Sequence, residues 1–341
     1  MSTLSDVAAA AGVSVSAVSR VLSGSPKARV SAETRERIHA AARELDYRPN
    51  FAARALKSSR TNVVGLVVPD LTNAIFTELM HGVEEEALRR GFMVLIARAE
   101  GMPEGEESIP RLVGEGRVDG VLVQIGDNMR AEDLQSLREA DLPLIFINSV
   151  DPDRVGSVIL EDELATRIAT EHLIELGHRR IGLMGGLPAT DSSHRRESGF
   201  RQAMAAAGLD VDPDLVTALG YGPAQGRAAL ARLSDQAEPP SAIVIANVNA
   251  AHGALREARS RGIHVPEQLS IVAIHDTWTA ENTWPPLTTV RMPLYEMGQA
   301  AVIDLAARIG GAENVDRVVR DPAPRLILRE STAPPERPLT Q

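Results

Sequence analysis

From Val63 onward, short runs of β-branched and aliphatic residues alternate with longer stretches whose apolar positions recur at helical spacing. The runs Val63–Val68, Phe92–Ile96, Gly120–Gln124, Leu144–Asn148, Ser157–Leu160, Ile181–Met184, Ala242–Ala246, Ser270–Ile274 and Leu326–Leu328 predict strands. Between them, Ile75–Arg90, Glu163–Leu176, Gly199–Ala207, Ala250–Arg261 and Glu296–Ile309 predict helices. Strand–helix alternation of this kind builds parallel, doubly wound α/β sheets. Nine strands are many for one sheet that also carries binding loops, so two lobes with a cleft between them are expected.

Residues 1–60 have a different pattern and contain no strand-like run. Thr3 followed by Asp6 fits a capping box for a first helix through Ala10, and Gly12 permits the sharp turn after it. Ser14 is placed to cap a second helix through Leu22. Val7 and Ala8 meet Val18, Val21 and Leu22 at helical spacing, which gives the two helices one apolar seam. A third helix follows Ser31, with Ile38, Ala41, Ala42 and Leu45 as its buried stripe. Tyr47-Arg48-Pro49 ends it, because the residue before proline avoids the helical region.

Charge separates the two parts. The first 60 residues hold ten Lys and Arg against five Asp and Glu, and the remainder holds 26 against 41, within a formal net charge of −10. A basic head on an acidic body attracts phosphate at one end and repels it elsewhere. With no cysteine there is no disulfide framework, thiolate nucleophile or thiolate metal site, which suits a reducing compartment. The acidic, capped start Met1-Ser2-Thr3-Leu4-Ser5-Asp6 is unlike a signal peptide, and no apolar run approaches the roughly 18 residues of a membrane span. A cytoplasmic location and no membrane partner are therefore expected.

If the second helix enters a major groove, Val15, Ser16 and Arg20 are its base-reading positions. Ser16 and Arg20 share a face, so that Arg20 can address a guanine edge while Val15 offers methyl contact to thymine. Spacing alone leaves open a solvated Arg20 and a core Val15. The word order adds to this. Thr3-Leu4-Ser5-Asp6-Val7-Ala8, Ala11-Gly12-Val13-Ser14, Val18-Ser19-Arg20-Val21-Leu22 and Tyr47-Arg48-Pro49-Asn50 with Ala53-Arg54-Ala55-Leu56 closely resemble the head of LacI/GalR regulators. Further matches follow in His172-Leu173-Ile174-Glu175-Leu176-Gly177-His178-Arg179-Arg180-Ile181, Arg196 before Gly199-Phe200, Ala246-Asn247 and Pro286-Leu287-Thr288-Thr289-Val290.

The resemblance covers nearly the whole chain. It implies an N-terminal all-α helix-turn-helix head with a hinge helix, then a two-lobed α/β core like that of periplasmic sugar-binding proteins. It divides the chain into a head (1–48), hinge and linker (49–61), N-terminal lobe (62–162 plus 291–320), C-terminal lobe (163–290 plus 321–333) and a disordered tail (334–341). DNA contacts are implied for Thr3, Ser14, Val15, Ser16, Ser19 and Arg20. In the hinge they are implied for Asn50, Ala53, Arg54, Leu56 and Lys57, with Leu56 as a minor-groove wedge. The implied partners are double-stranded operator DNA, a small-molecule effector and a second copy of the chain, with a tetramer left open.

The resemblance also implicates Ile75, Phe76, Gln124, Asn148, Arg196, Tyr221, Asn247 and His275 in effector binding, each near a strand end except Ile75 and Phe76, which open a helix. Two positions depart from the sugar-binding pattern: Val248 follows Asn247 where aspartate is usual, and His275 precedes Asp276 where the first of two aspartates is usual. With a carboxylate lost and Arg196 kept, a sugar acid or sugar phosphate is one expectation, bound by imidazolium and guanidinium. A buried, hydrogen-bonded His275 in a sensor with a different or vanished ligand is the other.

Enzyme chemistry lacks a constellation. Gly220-Tyr221-Gly222-Pro223-Ala224-Gln225-Gly226 has the wrong spacing for a dinucleotide loop and reads as a strand-to-helix turn. There is no Gly-x-Ser-x-Gly elbow or P-loop lysine, and His172, His178 and His194 lack metal-ligand spacing and read as surface or capping residues. No cofactor or metal is expected. A solute-binding protein or an enzyme on the same two-lobed fold is the alternative, but neither explains the basic head.

Overall fold

The computed structural model describes residues 2–22, 28–48, 60–99, 112, 114–126, 129, 132, 135, 137, 139, 142–150, 156–188 and 190–335. The chain divides into one compact unit over residues 1–61 and a second over 62–341.

The first unit contains helices α1 (Leu4–Ala11), α2 (Val15–Leu22) and α3 (Ala32–Glu44). Thr3 and Asp6 form the expected capping box: Asp6 N donates to Thr3 Oγ1 at 3.3 Å, and Thr3 N donates to Asp6 Oδ2 at 2.8 Å. Gly12 ends α1 with φ 65°, a conformation glycine adopts without a Cβ penalty, and α2 leaves at 105° to α1. Ser14 Oγ accepts from Ala17 N at 3.2 Å at the start of α2, and Ser31 Oγ accepts from Thr34 N at 3.2 Å at the start of α3. Val7, Ala8, Ala11, Val18, Val21, Ile38, Ala41 and Ala42 close a single small core.

The second unit holds two six-stranded sheets. The first runs β11 (Arg317–Val319), β5 (Ser157–Leu160), β4 (Leu144–Ile147), β3 (Gly120–Val123), β1 (Val63–Val68), β2 (Met93–Arg98), all parallel. The second runs β12 (Arg325–Ile327), β10 (Thr288–Arg291), β9 (Ser270–Ile274), β8 (Ala242–Ile245), β6 (Ile181–Gly185), β7 (Val216–Ala218), parallel except for β12 against β10. The two orders match position for position. The doubly wound α/β core expected from strand–helix alternation is therefore present twice.

The connecting helices are α4 (Ile75–Arg89), α5 (Asp162–Glu175), α6 (Asp191–Ala206), α7 (Pro223–Ser234), α8 (Val248–Arg261) and α9 (Leu294–Ile309). Chain passage between the sheets occurs at α5, at α9, which packs on α4 and the first sheet, and between β11 and β12.

Several elements differ from the sequence expectation. β7, β10 and β11 were not expected as strands; β7 and β11 have three residues each, too few for a period-two pattern, and β10 begins with two threonines. Helix α6 begins at Asp191 rather than Gly199, because its first turns bury Ser192, Ser193 and Arg196 instead of apolar residues. Helix α7 hides behind a Gly-Pro start, with Pro223 in its first turn. His178 is not a surface or capping residue. It is buried, with Nδ1 2.9 Å from Ser241 Oγ and Nε2 2.9 Å from the Ala333 carbonyl oxygen, pinning the end of the second sheet to residues 331–333. The hinge positions Asn50, Ala53, Arg54, Leu56 and Lys57 lie outside the described residues, as do positions 336–341 of the expected tail.

Helices α4 and α9 meet backbone to backbone. A Cβ at Gly82 would collide with the carbonyl oxygen of Tyr295, and one at Gly298 would meet the Leu79 carbonyl oxygen. Gly82→Ala is therefore expected to push the helices apart and lower stability by about 1–3 kcal/mol, the usual range for overpacking. Urea unfolding measures this, and an unchanged midpoint would contradict the close approach.

Candidate functional site

Two surfaces carry the residues singled out from sequence. On the head, Thr3, Ser14, Val15, Ser16 and Arg20 are exposed and Ser19 is half-buried. Val15 is 44% exposed, so it is not a core residue. Arg20 Nη2 donates to Ser16 Oγ at 3.4 Å, which places both side chains on one face of α2, away from buried Val18 and Val21. That face is polar, cationic at one point and ready to meet another surface.

In the second unit, Ile75, Phe76, Gln124, Asn148, Arg196, Tyr221, Asn247 and His275 all line one cavity of about 250 Å³. Gln124 follows β3 and Asn148 follows β4; Asn247 and His275 occupy the matching ends of β8 and β9. Sites in open α/β sheets form at these carboxyl ends. Asn148 (φ 46°) and His275 (φ 69°) both adopt left-handed backbone, which non-glycine residues hold only when their surroundings enforce it. Tyr221 lies in the turn between β7 and α7, and Ile75 and Phe76 open α4. Arg196, expected at a strand end, sits instead in the second turn of α6.

Sequence reasoning missed the group around which these residues are organised. Asp162, at the start of α5, has no solvent exposure. Its Oδ1 accepts from Arg196 Nε at 2.9 Å, and its Oδ2 from Arg195 Nη2 at 2.7 Å. Arg196 Nη1 donates to the Ala246 carbonyl at 2.9 Å, and Arg196 Nη2 donates to His275 Nε2 at 3.0 Å. Arg195 Nη2 also donates to Asn148 Oδ1 at 3.0 Å, joining an end of the first sheet to a helix of the second; Arg195 pairs with Asp191 as well. The Arg196 guanidinium lies 5.5 Å from the centre of the Tyr221 ring, whose hydroxyl is within 3.2 Å of Ser192 Oγ. The run Glu161-Asp162-Glu163 resembled an ordinary acidic helix start, so no spacing marked Asp162 out.

Electrostatics follow from this arrangement. Burial pushes the Asp162 carboxyl up, but Arg196 and Arg195 outweigh it and hold the group below the usual carboxylate range. Burial, with Arg196 adding to it, lowers His275 to about 3. The expectation of an imidazolium and a guanidinium clamp for an anion is thereby corrected. His275 is neutral at physiological pH, and all three nitrogens of Arg196 are engaged within the protein.

Similarity to known proteins points the same way as the geometry. A model described as bacterial regulatory proteins, lacI family, matches residues 3–50, and a periplasmic binding protein-like domain matches residues 170–332. The transcriptional regulator DegA of Bacillus subtilis (strain 168) is 34% identical over 337 residues, covering 97% of this chain and 98% of DegA. This chain belongs to the LacI family. Two solved structures agree. The transcriptional regulator CelR in complex with cellobiose is 33% identical with a TM-score of 0.71, covering 97% of this chain and 100% of its own. The lac repressor dimer bound to operator and the anti-inducer ONPF is 27% identical with a TM-score of 0.81, covering 97% and 99%.

As a LacI-family member the chain is a DNA-binding transcriptional regulator, and its relatives are regulators rather than enzymes. Among the described residues no single helix is long and apolar enough to cross a membrane, and no cluster of His, Asp and Glu could hold a metal ion. The two departures from the sugar-binding pattern separate in space: Val248 is buried in the core, whereas His275 lines the cavity.

Protonation adds a test of the network. The folded-state pKa of both His275 and Asp162 lies below its ordinary value, so each contributes stability above its unfolded pKa and loses it as pH falls. For His275 that window runs from about 6.5 down to about 3. Between pH 7.5 and 5, urea unfolding of the wild type should lose about 2 kcal/mol more than unfolding of His275→Asn, by linkage over about 1.5 pH units. Equal losses would show that His275 titrates normally.

Proposed function

We propose that this regulator is a repressor whose operator affinity is set by an uncharged, polyhydroxylated small molecule held between the two lobes. The observation that carries the reading is the convergence of eight residues, from strand ends of both sheets and the helices and turn beside them, on one cavity whose lining cation, Arg196, is already paired with Asp162. An anion entering would be stripped of water without gaining a counter-charge, and Asp70 at the lining adds negative charge. Hence the sugar-acid and sugar-phosphate expectation gives way to a neutral ligand. The apolar side chains Ile75, Phe76, Leu79, Leu294 and Met297 beside amides and hydroxyls suit a carbohydrate. Cellobiose in CelR is consistent with that class.

The domain division follows the same reading: head 1–48, hinge and linker 49–61, N-terminal lobe 62–162 plus 291–320, and C-terminal lobe 163–290 plus 321–333. The chain acts in the cytoplasm as a homodimer, like the lac repressor dimer on its operator. Edge strand β2 supports a second copy as partner, since it leaves Met93, Leu95 and Ile96 at 70%, 41% and 45% exposure. Thr3, Ser14 and Ser19 position the head on phosphates while Val15, Ser16 and Arg20 face bases; in the hinge, Leu56 with Ala53 beside it enters the minor groove, Arg54 and Lys57 lie near phosphates, and Asn50 adds a further contact.

Selection from a random duplex library should return near-palindromic sites, mirroring the two-fold axis of the dimer. On such a site, Arg20→Ala should weaken binding by about 1–3 kcal/mol in fluorescence anisotropy while sparing random DNA. Equal losses on both duplexes would contradict a base-reading Arg20. Loss of discrimination in wild type would contradict the regulator's sequence specificity itself.

A further inference from the structure

His275 is 2% exposed, lines the cavity and holds a left-handed backbone, φ 69°, at the end of β9. Its Nε2 lies 3.0 Å from Arg196 Nη2. A guanidinium only donates, so Nε2 must be the unprotonated nitrogen and the ring proton resides on Nδ1. Asp162 and the Ala246 carbonyl fix that guanidinium from two other sides, so the tautomer is set by the protein. Nδ1 is buried and has no hydrogen-bond partner among the described residues. A buried N–H without an acceptor is rare in folded proteins and marks a place where another molecule belongs.

Neighbouring side chains share this polarity. Asn73 Oδ1 accepts from Ile75 N at 3.3 Å, Asn148 Oδ1 from Leu160 N at 3.2 Å, and Asn247 Oδ1 from Ala250 N at 2.7 Å. With each oxygen already accepting from the backbone, these three lining asparagines have both amide N–H donors to offer a ligand. Both lining carboxylates have partners without being saturated: Asp70 accepts from the Thr72 amide and hydroxyl, and Asp191 pairs with Arg195. The lining thus presents fixed, uncharged donors, among them His275 Nδ1–H, which has no partner among the described residues.

We infer that the effector is an uncharged, carbonyl-bearing carbohydrate, such as an aldonolactone or an N-acylated amino sugar, whose carbonyl oxygen accepts from His275 Nδ1–H. The inference rests on the cavity being the effector site, as proposed above. A hydroxyl can accept, but it is the weaker acceptor and also brings a proton that must be placed on one of the lining oxygens. A carbonyl oxygen brings two lone pairs and no proton. An acid or phosphate supplies acceptors but carries a charge with no counter-ion left to meet it. Asp162 and Arg196 are positioning residues here, acting on the ligand only through the imidazole.

The test has two arms. In the first, ¹⁵N NMR of wild type, assigned by difference from His275→Asn, should show Nδ1 protonated and Nε2 unprotonated across about pH 5–8. A protonated Nε2, or titration within that range, overturns the inference whether or not a ligand is in hand. In the second arm, thermal shift and calorimetry compare N-acetylglucosamine with glucose and galactonolactone with galactose, beside glucuronic acid and glucose 6-phosphate as anionic members. The carbonyl-bearing partner should bind at least about tenfold tighter than its parent sugar, and the acids should not bind. His275→Ala should lose about tenfold for the carbonyl ligand. His275→Asn should retain most of the affinity, since asparagine tolerates the left-handed backbone and supplies an N–H near Nδ1.

Tightest binding of a plain sugar or of an acid overturns the inference while leaving the cavity as the effector site. The same holds for a carbonyl ligand whose affinity is indifferent to His275→Ala. Failure of every panel member to bind or to alter operator affinity overturns the neutral-carbohydrate function together with this inference.

Discussion

One buried carboxylate organises the sensor. Asp162 is withdrawn completely from water, and a lone carboxylate there would be driven to protonate. Two consecutive arginines of α6 prevent this, each taking one oxygen. Further donors of those arginines reach Asn148 at the end of β4, the Ala246 carbonyl after β8, and His275 after β9. The carboxyl ends of both sheets, and hence the lining of the cavity, are tied to one ion network. It also explains why the arginine in the cavity's lining offers a ligand no unpaired positive charge.

The duplicated sheet order places this network to matter for regulation. Asn148 and His275 stand at corresponding strand ends, both with left-handed backbone, and both hydrogen-bond to the arginine pair. A ligand touching both bears on both sheets at once, so any shift of one sheet against the other changes its contacts. That is the differential affinity that coupling between a ligand and a conformational state requires. The basic head answers a separate demand. It binds phosphate electrostatically, while the acidic remainder of the chain disfavours unproductive contact with DNA.

Much of the fold was legible in the sequence. Val63–Val68, Ser157–Leu160 and Ser270–Ile274 match their strands to the residue, because continuous β-branched runs leave no other economical burial. The head was legible through its caps, where Thr3, Gly12, Ser14 and Ser31 each have a local physical role. The start of α6 was illegible, since Ser192, Ser193 and Arg196 are buried by polar contacts rather than apolar ones. Resemblance pointed to eight residues, and the structure places all eight along one cavity. What sequence could not supply was charge state. Arg196 and His275 read as two cations until Asp162, 34 residues before Arg196 in the chain, is seen beside them.

The central claim is that Asp162 and Arg196 act as one unit. A double-mutant cycle of Asp162→Asn and Arg196→Met, followed by urea unfolding at neutral pH, tests it most directly. Asp162→Asn strips buried Arg196 of its counter-charge and Arg196→Met leaves Asp162 with Arg195 alone, whereas the double variant leaves only Arg195, which keeps its pairing with Asp191, so the double variant should be more stable than the sum of the single losses allows. The expected coupling is about 2–3 kcal/mol. Losses that add to within about 0.5 kcal/mol would contradict the account.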